Sequence, residues 1–236
     1  MFSNCLRWCK LNKINSLFKL KLGSIRLIRG PSKSSLQLTN ELKEIIVGKM
    51  LGDLGCERPN LNCNTRLQFK HGDKQLSYIE HLYILFKDYC KSPPIMLIKH
   101  DNRPNKNKIY KAIKFNTRSL PCFNEFRELF YNDKGIKIIP NDLGNYLTPK
   151  GLAYWFMDDG YKSGNGFYFC TESYTLEENN FLVNLFFEKF ELDSSVHKHS
   201  NGHRLYISSK SRDKFIELIK PNLLPIFYYK LELELK

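Results

Sequence analysis

The stretch from Leu152 to Gly160, LAYWFMDDG, most constrains this chain, because an apolar run ends abruptly in two carboxylates and a glycine. A helix over this stretch places Asp158 and Asp159 at its C-terminal end, where the helix dipole already leaves partial negative charge. Acids in that place favour a nearby cation, and a divalent metal bound by carboxylate oxygens supplies one. The alternative is a solvated helix end that Gly160 closes as a C′ glycine.

A second stretch of the same kind lies earlier, where residues 46–54 read IVGKMLGDL. Its acid, Asp53, lies 106 residues before Asp159 in a chain of 236 residues. That separation indicates two similar domains, since the repeats of solenoid proteins are much shorter. Gly48 and Gly52 share one helix face, which predicts that another backbone packs closely there, because glycine is otherwise costly in a helix.

The formal net charge of +13 indicates a polyanionic partner, although the charge is unevenly distributed. Residues 1–40 hold eight Lys/Arg and no acid, so the remainder has 29 basic against 24 acidic residues. Residues 57–118 hold 13 Lys/Arg against five acids and form the basic region of the body. No apolar run is long enough to span a bilayer, which argues against a membrane partner.

The leader, residues 1–40, has the composition of an organelle transit peptide, since it is basic, rich in Ser, Leu and Ile, and free of acids. It predicts a mitochondrial protein, with another organelle such as the chloroplast as the alternative. A disordered basic arm, or residual upstream coding sequence of a gene in an organellar intron, would have the same composition.

Neither the cysteines nor the histidines predict a metal site. The cysteines are odd in number and match no structural zinc spacing, which indicates reduced thiols that act as small apolar residues. His197, His199 and His203 cluster near one hairpin, where a polar strand face is favoured over a metal site. The seven cysteines are Cys5, Cys9, Cys56, Cys63, Cys90, Cys122 and Cys170.

Apolar periodicity predicts the order α-β-α-ββ-α in each half. Residues 64–70 alternate cleanly, with an apolar face opposite the polar face of Arg66, Gln68 and Lys70. Residues 95–99 and 108–116 predict a basic hairpin that includes Lys111 and Lys114. Residues 196–199 and 203–207 predict a second hairpin, because Asn-Gly at its tip is a strong turn signal.

These residues together resemble the LAGLIDADG homing endonucleases, in the single-chain, two-motif branch that includes the yeast mitochondrial omega-intron endonuclease. NYLTPKGLAYWFMDDGYK, residues 145–162, is the more specific motif, and IVGKMLGDL is more degenerate. IIPNDL at 138–143 and Tyr-Lys-Leu at 229–231 extend the similarity over about residues 41–231.

The resemblance implies an α+β fold of two pseudo-symmetric αββαββα domains, with a central motif-helix pair and a saddle of antiparallel sheets. The domains would be residues 41–144 and 145–236, after the leader. At the motif's third position the first copy has Gly48 and the second has Tyr154, so the helix interface cannot be symmetric. At the usually small seventh position stand Gly52 and Asp158.

The resemblance also assigns a site. Asp53 and Asp159 would bind Mg²⁺, which Mn²⁺ can replace, and one acid would serve each DNA strand. Lys137 and Lys230 would polarise water or neutralise charge. The alternative for either lysine is an ordinary surface residue at a helix end. The DNA-contacting candidates on the polar sheet faces are Arg66, Gln68, Lys70, Lys111, Lys114, Lys198 and Arg204.

The predicted function is therefore that of a monomeric, site-specific endonuclease acting on a long asymmetric site in double-stranded DNA. The first alternative is a maturase that binds intron RNA and assists splicing on the same fold. The second is a non-catalytic DNA-binding regulator. Retention of Asp53 and Asp159 favours the nuclease, because splicing requires no metal-binding acids there.

Overall fold

The computed structural model describes residues 36–60, 62–100 and 109–232. Residues 1–35 of the predicted transit leader, with Cys5 and Cys9, and the tip of the basic hairpin lie outside these residues. Within them, no helix is long and apolar enough to cross a membrane.

Each half of the described chain runs αββαββα, which confirms the predicted fold class. The first half comprises α1 (Asn40–Leu51), β1 (Gly55–Glu57), β2 (Arg66–Gly72), α2 (Leu76–Phe86), β3 (Ile95–His100), β4 (Ile109–Asn116) and α3 (Asn124–Phe130). The second comprises α4 (Pro149–Asp159), β5 (Gly160–Ser163), β6 (Gly166–Phe169), α5 (Leu176–Phe190), β7 (Ser194–His199), β8 (Gly202–Ile207) and α6 (Arg212–Ile219). Two four-stranded antiparallel sheets result, in the orders β1-β2-β4-β3 and β5-β6-β8-β7.

Side-chain caps mark the first residues of three helices. The Thr39 hydroxyl accepts the Leu42 N–H before α1, and the Thr148 hydroxyl accepts the Gly151 N–H before α4. Thr175 and Glu178 form a capping box before α5. These caps pair backbone N–H groups that the first helical turn leaves without partners.

The two strands that follow the motif helices, β1 and β5, are absent from the sequence prediction. They are only three and four residues long, too short for a readable alternation. Gly160 opens β5 in an extended conformation, with φ −83° and ψ 146°, so the prediction of a C′ glycine cap is wrong. The glycine is needed for space, because a Cβ there would lie 2.0 Å from the Phe156 ring.

The motif helices α1 and α4 pack against each other at the centre of the described chain. A Cβ on Gly48 would lie 1.9 Å from the carbonyl oxygen of Gly151, so the predicted close approach of a backbone is confirmed. At Gly52 the close neighbour is instead a side chain, since a Cβ there would lie 2.6 Å from Asp158 Oδ2.

Aromatic side chains fill the space between each sheet and its helices. On β2, Leu67 and Phe69 are buried while the alternate residues face outward, which confirms the predicted alternation. Phe69 stacks on Phe115 with ring centroids 4.5 Å apart. In the second half, Trp155 of α4 packs against Phe169 of β6, with centroids 4.4 Å apart. The buried apolar faces thus leave the polar faces of both sheets outside the core.

We expect Gly48→Ala to lower the free energy of unfolding by about 2–4 kcal/mol, because the added methyl group forces α1 and α4 apart. Gly72→Ala is the matched control, since Gly72 has φ −63° and no atom would lie within 4 Å of its Cβ. Urea denaturation followed by circular dichroism measures both variants. Equal effects would contradict the close helix contact.

Candidate catalytic centre

Three carboxylates meet at the C-terminal ends of the motif helices. Asp159 is the last residue of α4, and Asp53 lies two residues beyond the end of α1. Burial, then the Asp53 and Asp158 carboxylates, raise the pKa of Asp159 to about 7. Partial burial, then Asp158, also raise the pKa of Asp53. Such mutual repulsion favours a bound cation.

One lysine lies at the end of each motif helix. Lys137 donates from Nζ to the Gly52 carbonyl at 2.8 Å, and Lys230 donates to the Met157 carbonyl at 2.7 Å. Burial lowers the pKa of both ammonium groups, and the neighbouring aspartates oppose that shift. Each lysine therefore supplies positive charge where a helix dipole and an acid are both negative.

Asp158, which stands at a usually small motif position, belongs to a buried network of hydrogen bonds and one ion pair. Its Oδ1 atom accepts hydrogen bonds from the Lys49 ammonium at 2.8 Å and from the Tyr78 hydroxyl at 3.1 Å. Its Oδ2 atom accepts the backbone N–H of Asp53 at 3.1 Å. The side chains of Asp158 and Lys49 are 0% and 1% exposed, so each depends on the other for compensation of its charge.

His71 of β2 extends this network towards Asp53. The Lys49 Nζ lies 3.0 Å from His71 Nε2, and an ammonium can only donate, so Nε2 accepts. Burial and the Lys49 charge lower the pKa of His71 to about 4, and the neutral ring therefore keeps its proton on Nδ1. That atom lies 3.7 Å from Asp53 Oδ2.

Two groupings of these residues could hold a metal ion. Asp53, His71 and Asp158 offer ligand atoms within 4.8 Å of one another. However, both Asp158 oxygens already accept hydrogen bonds, His71 Nδ1 is protonated, and a cation there would face the Lys49 ammonium. Asp159 differs, because its carboxylate accepts no hydrogen bond from the described part of the chain. Asp53 and Asp159 therefore suit a hard divalent cation better.

The outer face of the first sheet presents a polar cluster on β2 and β4. Arg66 and Gln68 both donate to Glu57 of β1, and Arg66 reaches its carboxylate at 2.5 Å. Lys70 lies directly opposite Lys114 in the antiparallel register. Lys111 does not share this face, because residues three apart on a strand point to opposite sides.

The outer face of the second sheet is aromatic rather than cationic. Arg204 of β8 donates to Glu172, and also to the Tyr161 hydroxyl at 2.7 Å. The rings of Tyr161 and Tyr168 stack with centroids 5.4 Å apart, and Tyr206 lies 4.8 Å from Tyr168.

Strand register also separates the basic and histidine candidates of the second hairpin. His197 pairs with Arg204 and shares its outer face. Lys198, the next residue, pairs with His203 and points to the other side. Lys198 therefore does not lie with Arg204, and the three histidines do not converge. Within the described residues, the sole cluster with metal-ligand spacing is the one around Asp53.

The five described cysteines are free thiols, as their sequence pattern predicts. Burial raises the pKa of Cys56 to about 12 and that of Cys90 to about 11, so neither is a reactive thiolate at neutral pH.

Lys49, His71 and Tyr78 are the members of the site that sequence reasoning missed. Lys49 carried a readable signal, since it is the one charged residue within the apolar run of residues 45–51. A charge at a buried helix position requires a buried partner. Nothing in the sequence identified that partner as Asp158, 109 residues away.

Comparisons with known proteins agree with this architecture. Residues 43–215 match the model of the LAGLIDADG DNA endonuclease family. A cytochrome b mRNA maturase bI2 of Debaryomyces hansenii is 33% identical over 82% of this chain and 74% of its own length. The probable intron-encoded endonuclease 1 of Wickerhamomyces canadensis is 31% identical over 92% of this chain and 96% of its own length.

A solved structure, the homing endonuclease I-WcaI bound to its DNA recognition sequence, superimposes on the chain with a TM-score of 0.80. It is 29% identical and covers 93% of this chain and 98% of that one. The chain therefore shares its fold with a homing endonuclease that was solved bound to its DNA recognition sequence.

In the metal-free protein, the raised pKa of Asp159 makes stability depend on pH. A carboxyl whose pKa rises on folding stabilises the fold below its unfolded value near 4 and loses that contribution as the pH rises through about 7. We expect Asp159→Asn to raise the free energy of unfolding by about 2 kcal/mol at pH 8, and by little at pH 4.

Urea denaturation in EDTA at the two pH values measures this difference. Asp133→Asn is the control, because Asp133 is exposed in the turn after α3. The same shift in both variants, or a larger gain at pH 4, would contradict the crowding of carboxylates.

Proposed function

We propose that this chain, which belongs to the LAGLIDADG DNA endonuclease family as a site-specific DNA endonuclease, hydrolyses both DNA strands with a divalent metal held by Asp53 and Asp159. The observation that carries this proposal is that these two carboxylates, one just beyond the end of α1 and one at the end of α4, lie close enough that burial and then the Asp53 charge raise the pKa of Asp159. Mg²⁺ is the proposed ion, with Mn²⁺ as a substitute, because the donors are hard carboxylate oxygens.

The roles follow from the surroundings of each residue. A bound divalent ion lowers the pKa of water and stabilises the charge of the reacting phosphate and its leaving oxygen. Asp53 and Asp159 would hold it, one acid serving each strand. Lys137 and Lys230, each anchored on carbonyls at a helix end, would offset phosphate charge and orient water beside the metal-binding acids.

The outer faces of the two sheets would contact DNA, with Arg66, Gln68, Lys70 and Lys114 in the first half and Arg204 in the second. Arginine and glutamine side chains can form hydrogen bonds with base edges in the major groove, and lysines can form ion pairs with phosphates. Because the two faces differ in chemistry, a monomer would read a long asymmetric site in double-stranded DNA.

A maturase that binds intron RNA is the second candidate, and the similarity to a relative named cytochrome b mRNA maturase favours it. The same polar sheet faces would serve either nucleic acid. The metal-binding acids favour DNA cleavage, since assistance to splicing does not use them. A non-catalytic DNA-binding regulator is disfavoured for the same reason.

A location in an organelle is the remaining part of the proposal. The basic, acid-free composition of residues 1–40 supports mitochondrial import, and a relative named for the cytochrome b mRNA agrees with it. Import into another organelle such as the chloroplast is the alternative.

We expect Asp53→Asn and Asp159→Asn each to lower double-strand cleavage by about 10³-fold or more, because each amide removes one metal-binding carboxylate. Each variant should retain DNA binding and a slow nick in the strand that the other acid serves. The assay uses Mg²⁺ and the site that the wild type selects from a randomised DNA library. Full double-strand cleavage by either variant would contradict the mechanism, and splicing assistance without any wild-type cleavage would favour the maturase.

We expect Lys114→Ala to weaken DNA binding and to lower the slope of log K against log salt by about 0.9, the value for one lost phosphate contact. Lys111→Ala is the matched control on the opposite face of the same strand, and its slope should equal that of the wild type. Fluorescence anisotropy between 50 and 200 mM salt measures both, and equal slopes for all three proteins would contradict this docking face.

A further inference from the structure

The two metal-binding candidates have unequal surroundings, although their motifs are related. The backbone N–H of Asp53 donates to the Asp158 carboxylate across the helix pair, whereas no described residue of the first half makes a hydrogen bond to Asp159. At the motif position of Lys49 the second copy has Trp155, whose ring packs in the core. The buried charge network therefore belongs to one acid only.

We propose that Asp158 is a positioning residue for Asp53, so that the second motif helix fixes the metal-binding acid of the first half. This inference rests on the proposed function and extends it, because it makes cleavage of one strand depend on a side chain that touches neither metal nor DNA. Lys49 and Tyr78 are the supports that hold Asp158 itself in place.

The first argument is the backbone at Asp53. This residue lies beyond the last turn of α1, where the helix no longer pairs its N–H with a carbonyl. Asp158 Oδ2, at 3.1 Å, is the acceptor that pairs it. Without this bond the amide loses its partner, and the turn that carries the Asp53 carboxylate loses its link to α4.

The second argument is that Asp158 cannot move away from this position. Gly52 leaves so little space that its Cβ would lie 2.6 Å from Asp158 Oδ2. On the other side, Lys49 and Tyr78 hold Oδ1 with two hydrogen bonds in a fully buried environment. A buried carboxylate held on both oxygens is a rigid acceptor, and rigidity of the supporting residues determines how well a metal ligand is placed.

The third argument is that the dependence runs in one direction. The Asp159 carboxylate extends from the helix α4 itself, whose final turns are held by backbone bonds and by Lys230. Removing the Asp158 carboxylate leaves those bonds intact. Its loss should therefore displace Asp53 and spare Asp159.

The test compares two double variants on a duplex labelled separately at the 5′ end of each strand, in single-turnover cleavage with Mg²⁺. Asp158→Ala with Lys49→Met removes the acceptor without leaving a buried unpaired ammonium. Asp158→Asn with Lys49→Met also removes the charge pair but keeps an acceptor oxygen for the Asp53 amide. Both strand rates come from the same protein molecules, so partial unfolding lowers both equally and leaves their ratio unchanged.

We expect the alanine variant to slow one strand about tenfold more than the other, since small displacements of a catalytic group are costly. The slowed strand should be the one that Asp53→Asn no longer nicks. The asparagine variant should bring the ratio to within about twofold of wild type. Tyr154→Phe, which removes the hydrogen bond between Tyr154 of α4 and His81 of α2, is the control and should leave the ratio unchanged.

Equal slowing of both strands, or slowing of the strand that Asp159 serves, would overturn the positioning role while the proposed function stands. Failure of the wild type to cut any site is a different outcome and removes the proposed function. If the wild type cuts no site, NMR of the Asp53 amide proton still tests the positioning role of Asp158. The Asp53 amide proton should shift upfield and exchange faster in the alanine variant by NMR, and an unchanged resonance would overturn the inference.

Discussion

The close contact between the two motif helices is the constraint on which the rest of the structure depends. Gly48 and Gly151 allow the backbones of α1 and α4 to approach without side chains between them. That approach brings both helix ends, and therefore three carboxylates, into one small region. The resulting repulsion raises the pKa of Asp159 to about 7, and the aromatic packing of the two halves must hold these charges together.

The two halves share an order of elements but differ in chemistry. The first half supplies lysines on its outer sheet face and a buried charge network behind its acid. The second supplies stacked tyrosines around Arg204 and, at the motif position of Lys49, the apolar ring of Trp155. An asymmetric protein that arises from two similar halves can bind an asymmetric ligand as a monomer, because no rotation axis relates its two contact faces.

The sequence alone predicts those features of the structure that depend on contacts between residues close together in the chain. Helix starts follow from Thr39, Thr148 and Thr175, whose caps lie within three residues of their partners. It was insufficient where the partner is distant, as for Asp158, whose three hydrogen-bond donors come from two separate segments of the first half, the end of α1 and α2. The faces of Lys111 and Lys198 depend on strand register, which long-range pairing fixes. The motif acids were predicted by resemblance, while their unequal support was not.

The ion pair between Lys49 and Asp158 has a consequence for any recombination of the two halves. A hybrid that keeps the first half but receives a second half with a small residue at the seventh motif position inherits a buried ammonium without a counter-ion. The reverse exchange leaves a buried carboxylate without one. Because breaking a buried pair on one side costs about 3–5 kcal/mol, these residues should be inherited together or replaced together. An exchange of halves between relatives therefore requires compatible residues at the positions of Lys49 and Asp158, in addition to a good fit between the two motif helices.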